Sequence, residues 1–181
     1  IFKANNGVLF FDELNRCPEK LLNSLLQVLS ENKATIGSYD MDIPTEFIFI
    51  GTMNPEDTST EKLSDVLLDR FDIIYMDYPE TNDIEKRIVL MKGKKLANVS
   101  DELINLMVYF IRLLRQDEKL EKKPSVRASI GLYERAQSNA LLKGRKNVQF
   151  DDIKDVLVSV LSHRIRLKPS VRYLETIENY I

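Results

Sequence analysis

Asp12 and Glu13 follow the apolar run Val8-Leu9-Phe10-Phe11 without a break. Adjacent carboxylates at the end of a buried strand lie at a sheet edge, where ligands of α/β folds bind. There the first carboxylate can support a Mg²⁺ that bridges phosphates, usually through water. The second can orient and deprotonate an attacking water. A second apolar run, Phe47-Ile48-Phe49-Ile50, leads through Gly51-Thr52-Met53 to Asn54-Pro55. An amide at that place can hold a water or a phosphate oxygen, and an Asn-Pro turn is the plainer alternative. Arg70, in Leu68-Asp69-Arg70-Phe71-Asp72, stands between a short helical segment and another apolar run. It can project toward a neighbouring subunit's phosphates, or pair with Asp69 at the surface for little gain. Arg127 falls in the first turn of a helix that Ser125 can cap. A cation there opposes the helix dipole and is easier to explain if an anion binds nearby.

The elements that must position these groups can be read in order. Val8–Phe11 and Phe47–Ile50 are short continuous apolar runs, the pattern of parallel strands buried on both faces. Pro18 opens a helix carrying Leu21, Leu22, Leu25, Leu26, Val28 and Leu29. Residues 34–43 form a hairpin with a polar tip at 37–40. A short helix spans 64–68, and Ile73-Ile74-Tyr75-Met76 reads as a third strand. From about Thr81 the pattern is helical, with segments at 83–96, 101–115, 125–142 and from Asp151 through Leu161. Residues 116–123 read as a charged connection, and a tail helix lies near 174–180 beyond Pro169.

Charge divides the chain at the same place. Residues 1–82 hold 6 basic and 15 acidic side chains, whereas 83–181 hold 20 basic and 13 acidic ones. The total of −2 argues against a uniformly basic nucleic-acid binder. The clusters Lys92/Lys94/Lys95 and Lys143/Arg145/Lys146 read as solvated helix faces rather than a nucleic-acid surface. Cys17 is the sole cysteine, so no internal disulfide forms and a reducing compartment fits. His163 is the sole histidine, which argues against a multi-histidine metal site. No apolar run approaches the ~20 residues of a membrane span.

In this order and spacing, the four groups resemble the AAA+ ATPases, and within them the MoxR branch, close to the magnesium chelatase ATPase subunit. The likeness is carried by Phe11-Asp12-Glu13-Leu14-Asn15-Arg16, by the hairpin ahead of Phe47, and by Leu68–Asp72. Pro124–Ala128, Lys143-Gly144-Arg145 and the stretch from Asp151 to His163-Arg164-Ile165 extend it. The resemblance implies an α/β segment of a P-loop parallel sheet in 1–80, followed by an all-α lid in 81–181. It implies that Asp12 is the Walker B residue supporting Mg²⁺, Glu13 the catalytic base and Asn54 sensor 1. Arg70 becomes an arginine finger acting in trans and Arg127 sensor 2. Arg16 is a further cation at a subunit interface, with a solvated first-turn arginine as the alternative. ATP and Mg²⁺ are the implied cofactors. The implied assembly is a homo-oligomeric ring, expected to be hexameric, that remodels client proteins in a chaperone-like, cytoplasmic role. A von Willebrand factor A domain protein is one class of client.

One part of the family pattern is missing: the chain contains no G-x-x-x-x-G-K-[ST]. It starts at Ile1 rather than Met, almost directly on a strand-like run, so the Walker A region is expected upstream. Residues 1–181 alone are accordingly expected to be inactive. The competing expectation is a non-enzymatic module that binds a protein or nucleic acid through its hairpin or its basic second half.

Overall fold

Two apolar runs of equal length pair in parallel and set the geometry of the N-terminal half. In the computed structural model, which describes residues 2–35, 42–54 and 63–181, β1 (Gly7–Phe11) and β4 (Phe47–Gly51) are in register from Gly7↔Phe47 to Phe11↔Gly51. Between them come α1 (Glu19–Glu31) and an antiparallel pair, β2 (Lys33–Thr35) with β3 (Asp42–Pro44). The expected hairpin tip falls on 36–41, outside the described residues. Asn32 ends α1 in the left-handed conformation, φ 52°, a role for which Asn is one of the few suited side chains. The short α2 (Asp65–Leu68) is capped by Ser64, whose hydroxyl accepts from the Leu67 amide at 3.3 Å.

The chain divides into two compact units, Ile1–Ile74 and Tyr75–Ile181. Two sequence expectations fail in the first. Both strands were expected to be buried on each face, but Val8, Phe10, Ile48 and Ile50 are 54, 59, 66 and 47% exposed. The pairings Val8↔Ile48 and Phe10↔Ile50 put all four on one face, which no described residue covers. The opposite face is partly buried, with the Phe49 and Phe71 rings 5.3 Å apart. The third strand at 73–76 does not form among the described residues. A strand needs a hydrogen-bonding neighbour, and none pairs with this segment, so Ile74 and Met76 are exposed.

The second unit is helical: α3 (Asn82–Lys92), α4 (Asp101–Gln116), α5 (Val126–Leu142) and α6 (Phe150–Leu161). Short helices α7 (Pro169–Arg172) and α8 (Ile177–Tyr180) follow. Thr81 and Ser100 cap α3 and α4. The charged connection after α4 contains a strand, β5 (Leu120–Lys122), paired antiparallel with β6 (Arg166–Leu167). Helix α3 stops at Lys92 rather than Leu96: Gly93 is extended (φ −77°, ψ 144°), in a place where a Cβ would sit 2.7 Å from the Val89 carbonyl and 2.8 Å from the Tyr133 ring. Beyond it the buried Gln137 carbonyl oxygen accepts from the Leu96 and Ala97 amides at 2.7 and 2.9 Å. Val89, Met107, Ile111, Leu132 and Leu161 are core residues, each at most 1% exposed.

Two buried carboxylates lock this core. Glu85 accepts a fork of hydrogen bonds from Arg115 at 2.6 and 2.7 Å and one from the Ser129 hydroxyl at 2.5 Å, with Arg112 at 3.5 Å. Burial alone would push its pKa up, but these donors and charges outweigh it and hold it below the usual glutamate value. Arg115 also donates to the Pro124 carbonyl at 2.8 Å and stacks 4.6 Å from the Tyr78 ring centre. Arg112 donates to the carbonyls of Pro79 and Glu80. These bonds explain why 75–80 travels with the helices although the charge sign changes only after residue 82.

Asp152 is the second lock. It is fully buried, takes a fork from Arg145 at 2.7 and 2.6 Å, and closes a capping box with Gln149 at the start of α6. The Arg145 bonds pull its pKa to about 2; burial opposes them, while the Gln149 amide and Lys143 add to them. Because the folded value lies below the ordinary 3.8, the stabilisation is complete above about pH 4 and drains away as pH falls toward 2. Asp152→Asn is expected to cost about 2 kcal/mol at pH 7, less than a fully enclosed pair because Arg145 is partly exposed. Urea unfolding at pH 7 and across pH 4 to 2 measures this, and the variant's loss of stability in that acid range should be shallower than the parent's.

Candidate functional site at the carboxyl ends of β1 and β4

Parallel pairing brings the carboxyl ends of β1 and β4 to one edge, and the residue after each strand is polar. The Thr52 hydroxyl donates to Asp12 Oδ1 in a short hydrogen bond and accepts from the Glu13 amide at 3.2 Å. Backbone bonds close the same corner: Thr52 N–H to Phe11 O at 2.9 Å and Leu14 N–H to Thr52 O at 2.8 Å. Asn15 Nδ2 donates to the Asn54 carbonyl at 3.2 Å. Asp12, Glu13 and Asn54 are thus held on one exposed edge. Leu14, 4% exposed, anchors the corner from beneath. Gly51 leaves it room, since a Cβ there would lie 3.3 Å from Leu14 Cδ2 and 3.1 Å from the Phe49 ring.

Glu13 adopts φ 54°, ψ 52°, the left-handed region that a residue with a Cβ avoids. The turn that follows, Leu14–Arg16, is a single 3₁₀ turn closed by Arg16 N–H to Glu13 O at 2.9 Å. The Glu13 carboxylate pairs with Arg16 Nη1 at 3.1 Å, both side chains more than half exposed. Arg16, expected at a subunit interface, therefore has a partner within the chain. Cys17 is partly buried, its thiol pKa raised by that burial.

The two remaining arginines lie elsewhere. Arg70 donates from Nε to Ser30 Oγ at 3.1 Å and from Nη1 to Val66 O at 2.5 Å. Ser30 lies in the last turn of α1, roughly 16 Å along the helix axis from Glu19. Arg70 is thus fixed against α1 rather than on Asp12 and Glu13. Arg127, in the second unit, is exposed at the second position of α5, with no hydrogen bond or ion pair among the described residues. Ser125 precedes α5 but makes no side-chain cap bond. In the basic cluster near 145, Lys143 pairs with Asp152 and Asp155 and Arg145 with Asp152.

Thr52 was not singled out from sequence. The available signal was register: two apolar runs of equal length, each followed at once by a polar residue, place Asp12 and Thr52 opposite one another once paired in parallel.

Residues 3–71 match the AAA domain of the dynein-related subfamily, and 113–178 match the AAA lid domain. The chain belongs to the AAA+ family, with a core segment followed by a lid. Among its relatives it is 29% identical to the chaperone MoxR1 of Mycobacterium tuberculosis, across 88% of this chain and 50% of MoxR1. It is 28% identical to a magnesium-chelatase subunit ChlI homolog of Methanocaldococcus jannaschii, across 92% of this chain and 52% of that one. It is also 28% identical to the uncharacterized protein YeaC of Bacillus subtilis, across 92% of this chain and 60% of YeaC. The chain thus spans little more than half the length of these relatives. A mutant RuvB of Thermotoga maritima shares the fold, with TM-score 0.58 and 20% identity over 87% of this chain and 46% of RuvB. No described helix is long and apolar enough to cross a membrane.

The left-handed Glu13 sets up a test of strain at this edge. Glu13→Gly removes the Cβ penalty and one exposed ion pair of small worth, so it is expected to stabilise the chain by about 1 kcal/mol in urea unfolding. A destabilised variant would mean that the Glu13 side chain contributes more to the fold than its Arg16 contact.

Proposed function

We propose that this chain is the Walker B-to-lid portion of a MoxR-like ATPase that couples ATP hydrolysis to remodelling of a client protein. The observation that carries the reading is the edge where Asp12, Glu13, Thr52 and Asn54 meet, in a chain of the AAA+ family. Residues 1–80 are read as the later part of the α/β core and 81–181 as the lid.

The residues present fit a nucleotide-borne Mg²⁺. No cluster of three or more His, Cys, Asp or Glu side chains able to hold a metal occurs among the described residues. Mg²⁺ does not require one, because it commonly takes one or two carboxylates, waters and substrate phosphates. Asp12 suits that role: Thr52 engages Oδ1, leaving Oδ2 without a bonded partner among the described residues. When bound, the cation neutralises charge developing on the transferred phosphoryl group.

Glu13 accepts the proton of a water attacking the γ-phosphate. Arg16 competes for that carboxylate until the pair opens. Asn54 orients the water or a phosphate oxygen through its amide. Arg70 acts on the nucleotide of a neighbouring subunit, in keeping with its position away from Asp12. Arg127 meets phosphate as sensor 2, and Arg16 also faces a subunit interface. The assembly is a homo-oligomeric ring, expected to be a hexamer, working in the cytoplasm. Its client includes proteins with a von Willebrand factor A domain, and nucleic acid is not the substrate.

Residues 1–181 carry no Walker A sequence and alone are expected not to turn over ATP. In a polypeptide that also contains a Walker A segment, Glu13→Gln should keep nucleotide binding and lose at least about a hundredfold in the hydrolysis rate. Steady-state phosphate release with a parallel binding titration reads both, and undiminished hydrolysis would remove Glu13 from the mechanism.

A further inference from the structure

Arg70 is held by two hydrogen bonds, and both acceptors are uncharged. Its Nε donates to Ser30 Oγ at 3.1 Å and its Nη1 to the Val66 carbonyl at 2.5 Å. Val66 lies in the single turn of α2, near the end where helix carbonyls lack backbone partners. The Arg70 amide bonds to Leu67 O at 3.2 Å, so the side chain takes up the Val66 acceptor that its own amide leaves open. Ser30 stands in the last turn of α1, forty residues earlier. A cation there also meets the negative end of the α1 dipole. The guanidinium thus bridges α1 and α2 within the first unit.

Ser30 does not use its hydroxyl as a helical serine ordinarily does. Such a hydroxyl bonds back to its own helix, as Ser24 does to Lys20 O at 3.0 Å. The Ser30 hydroxyl instead accepts from a side chain outside α1. Arg70 is unusual too. It makes no ion pair with Asp69, its neighbour in sequence, and has no carboxylate partner among the described residues. Arg112, Arg115 and Arg145 each have one. A guanidinium carries five N–H donors. Two are engaged here, and the three left over belong to Nη1 and Nη2, whose shared edge is a fork for two phosphate oxygens. The stem is fixed, while the fork and the charge stay available on an exposed side chain.

We propose that Ser30 is a positioning residue for Arg70, holding Nε so that the free fork meets the phosphates bound by a neighbouring subunit. This role rests on the reading of Arg70 as an arginine finger and adds the residue that preorganises it. A long side chain loses rotamer freedom when it must find one geometry in the transition state. One that is already held loses less, and its charge is aimed before the reaction begins. Ser30 acts through Arg70 and touches no substrate, so its loss should lower turnover and leave ATP binding as it was.

The test is steady-state ATP hydrolysis by a polypeptide that also contains a Walker A segment. Ser30→Ala should lower kcat about fivefold with KM for ATP unchanged, the loss expected of one exposed hydrogen bond. Ser30→Thr, which keeps the hydroxyl, should stay within about twofold of the parent. Ser24→Ala, on the same helix, should match the parent. Arg70→Ala should lose about a thousandfold, and adding Ser30→Ala to it should cost nothing more. Mixing separates positioning from packing. Glu13→Gln subunits hydrolyse poorly but carry an intact Ser30–Arg70 pair, so in excess they should restore most of the parental rate per Ser30→Ala subunit. A merely structural Ser30 would leave that rate low. Undiminished hydrolysis by Arg70→Ala would remove the finger, and this role with it. With Arg70→Ala inactive, three results would each overturn the role of Ser30 and leave the finger standing: a parental kcat in Ser30→Ala, a further loss in the double variant, or no recovery on mixing.

Discussion

The arrangement at the candidate site depends on one constraint, the parallel register of β1 and β4. Five consecutive pairings fix which residues emerge at the carboxyl edge. Slipping one strand by a single residue would invert its faces and separate Asp12 from Thr52. The Thr52 hydroxyl then does two jobs from one position, holding the Asp12 carboxylate and accepting from the Glu13 amide. The left-handed turn at Glu13 follows from this corner, because the chain must turn at once for Leu14 to reach the buried position beneath Gly51. Strain of this kind persists where neighbouring contacts over-determine a residue, and it collects at functional positions.

The helical unit follows a different rule. Its buried carboxylates, Glu85 and Asp152, are each matched by a forked arginine and by further donors. Buried pairs of this quality specify an arrangement more than they add stability, because desolvation offsets much of the attraction. They fix the approach of α3, α4 and α5 and the seating of α6 against the end of α5.

Much of this was legible from residue order. The apolar runs announced β1 and β4, and Asp12-Glu13 and Asn54 were recognisable as their polar termini. The helical segments read from Ser64 and from about Thr81 begin where α2 and α3 do, whereas Ser125, read as the cap of α5, makes no side-chain cap bond, and α6 is capped by Gln149 rather than Asp151. What was not legible depended on partners distant in sequence. The segment 73–76 reads as a strand by composition but lacks a neighbour with which to pair. The open face formed by Val8, Phe10, Ile48 and Ile50 has strand sequence without a covering layer. The segment after α3 is fixed by contacts with α5 some forty residues away, at Gly93 and Gln137, and the strands β5 and β6 pair across a similar distance.

The central claim is that the edge formed by Asp12, Glu13, Thr52 and Asn54 handles the metal and the water of ATP hydrolysis. Paramagnetic broadening by Mn²⁺–ATP tests it directly, on an isotope-labelled polypeptide that also contains a Walker A segment. The account predicts selective broadening of the amide signals of residues 12–14 and 52–54, abolished by Asp12→Asn. Sharp signals at that edge while nucleotide is bound, or broadening indifferent to Asp12→Asn, would contradict it.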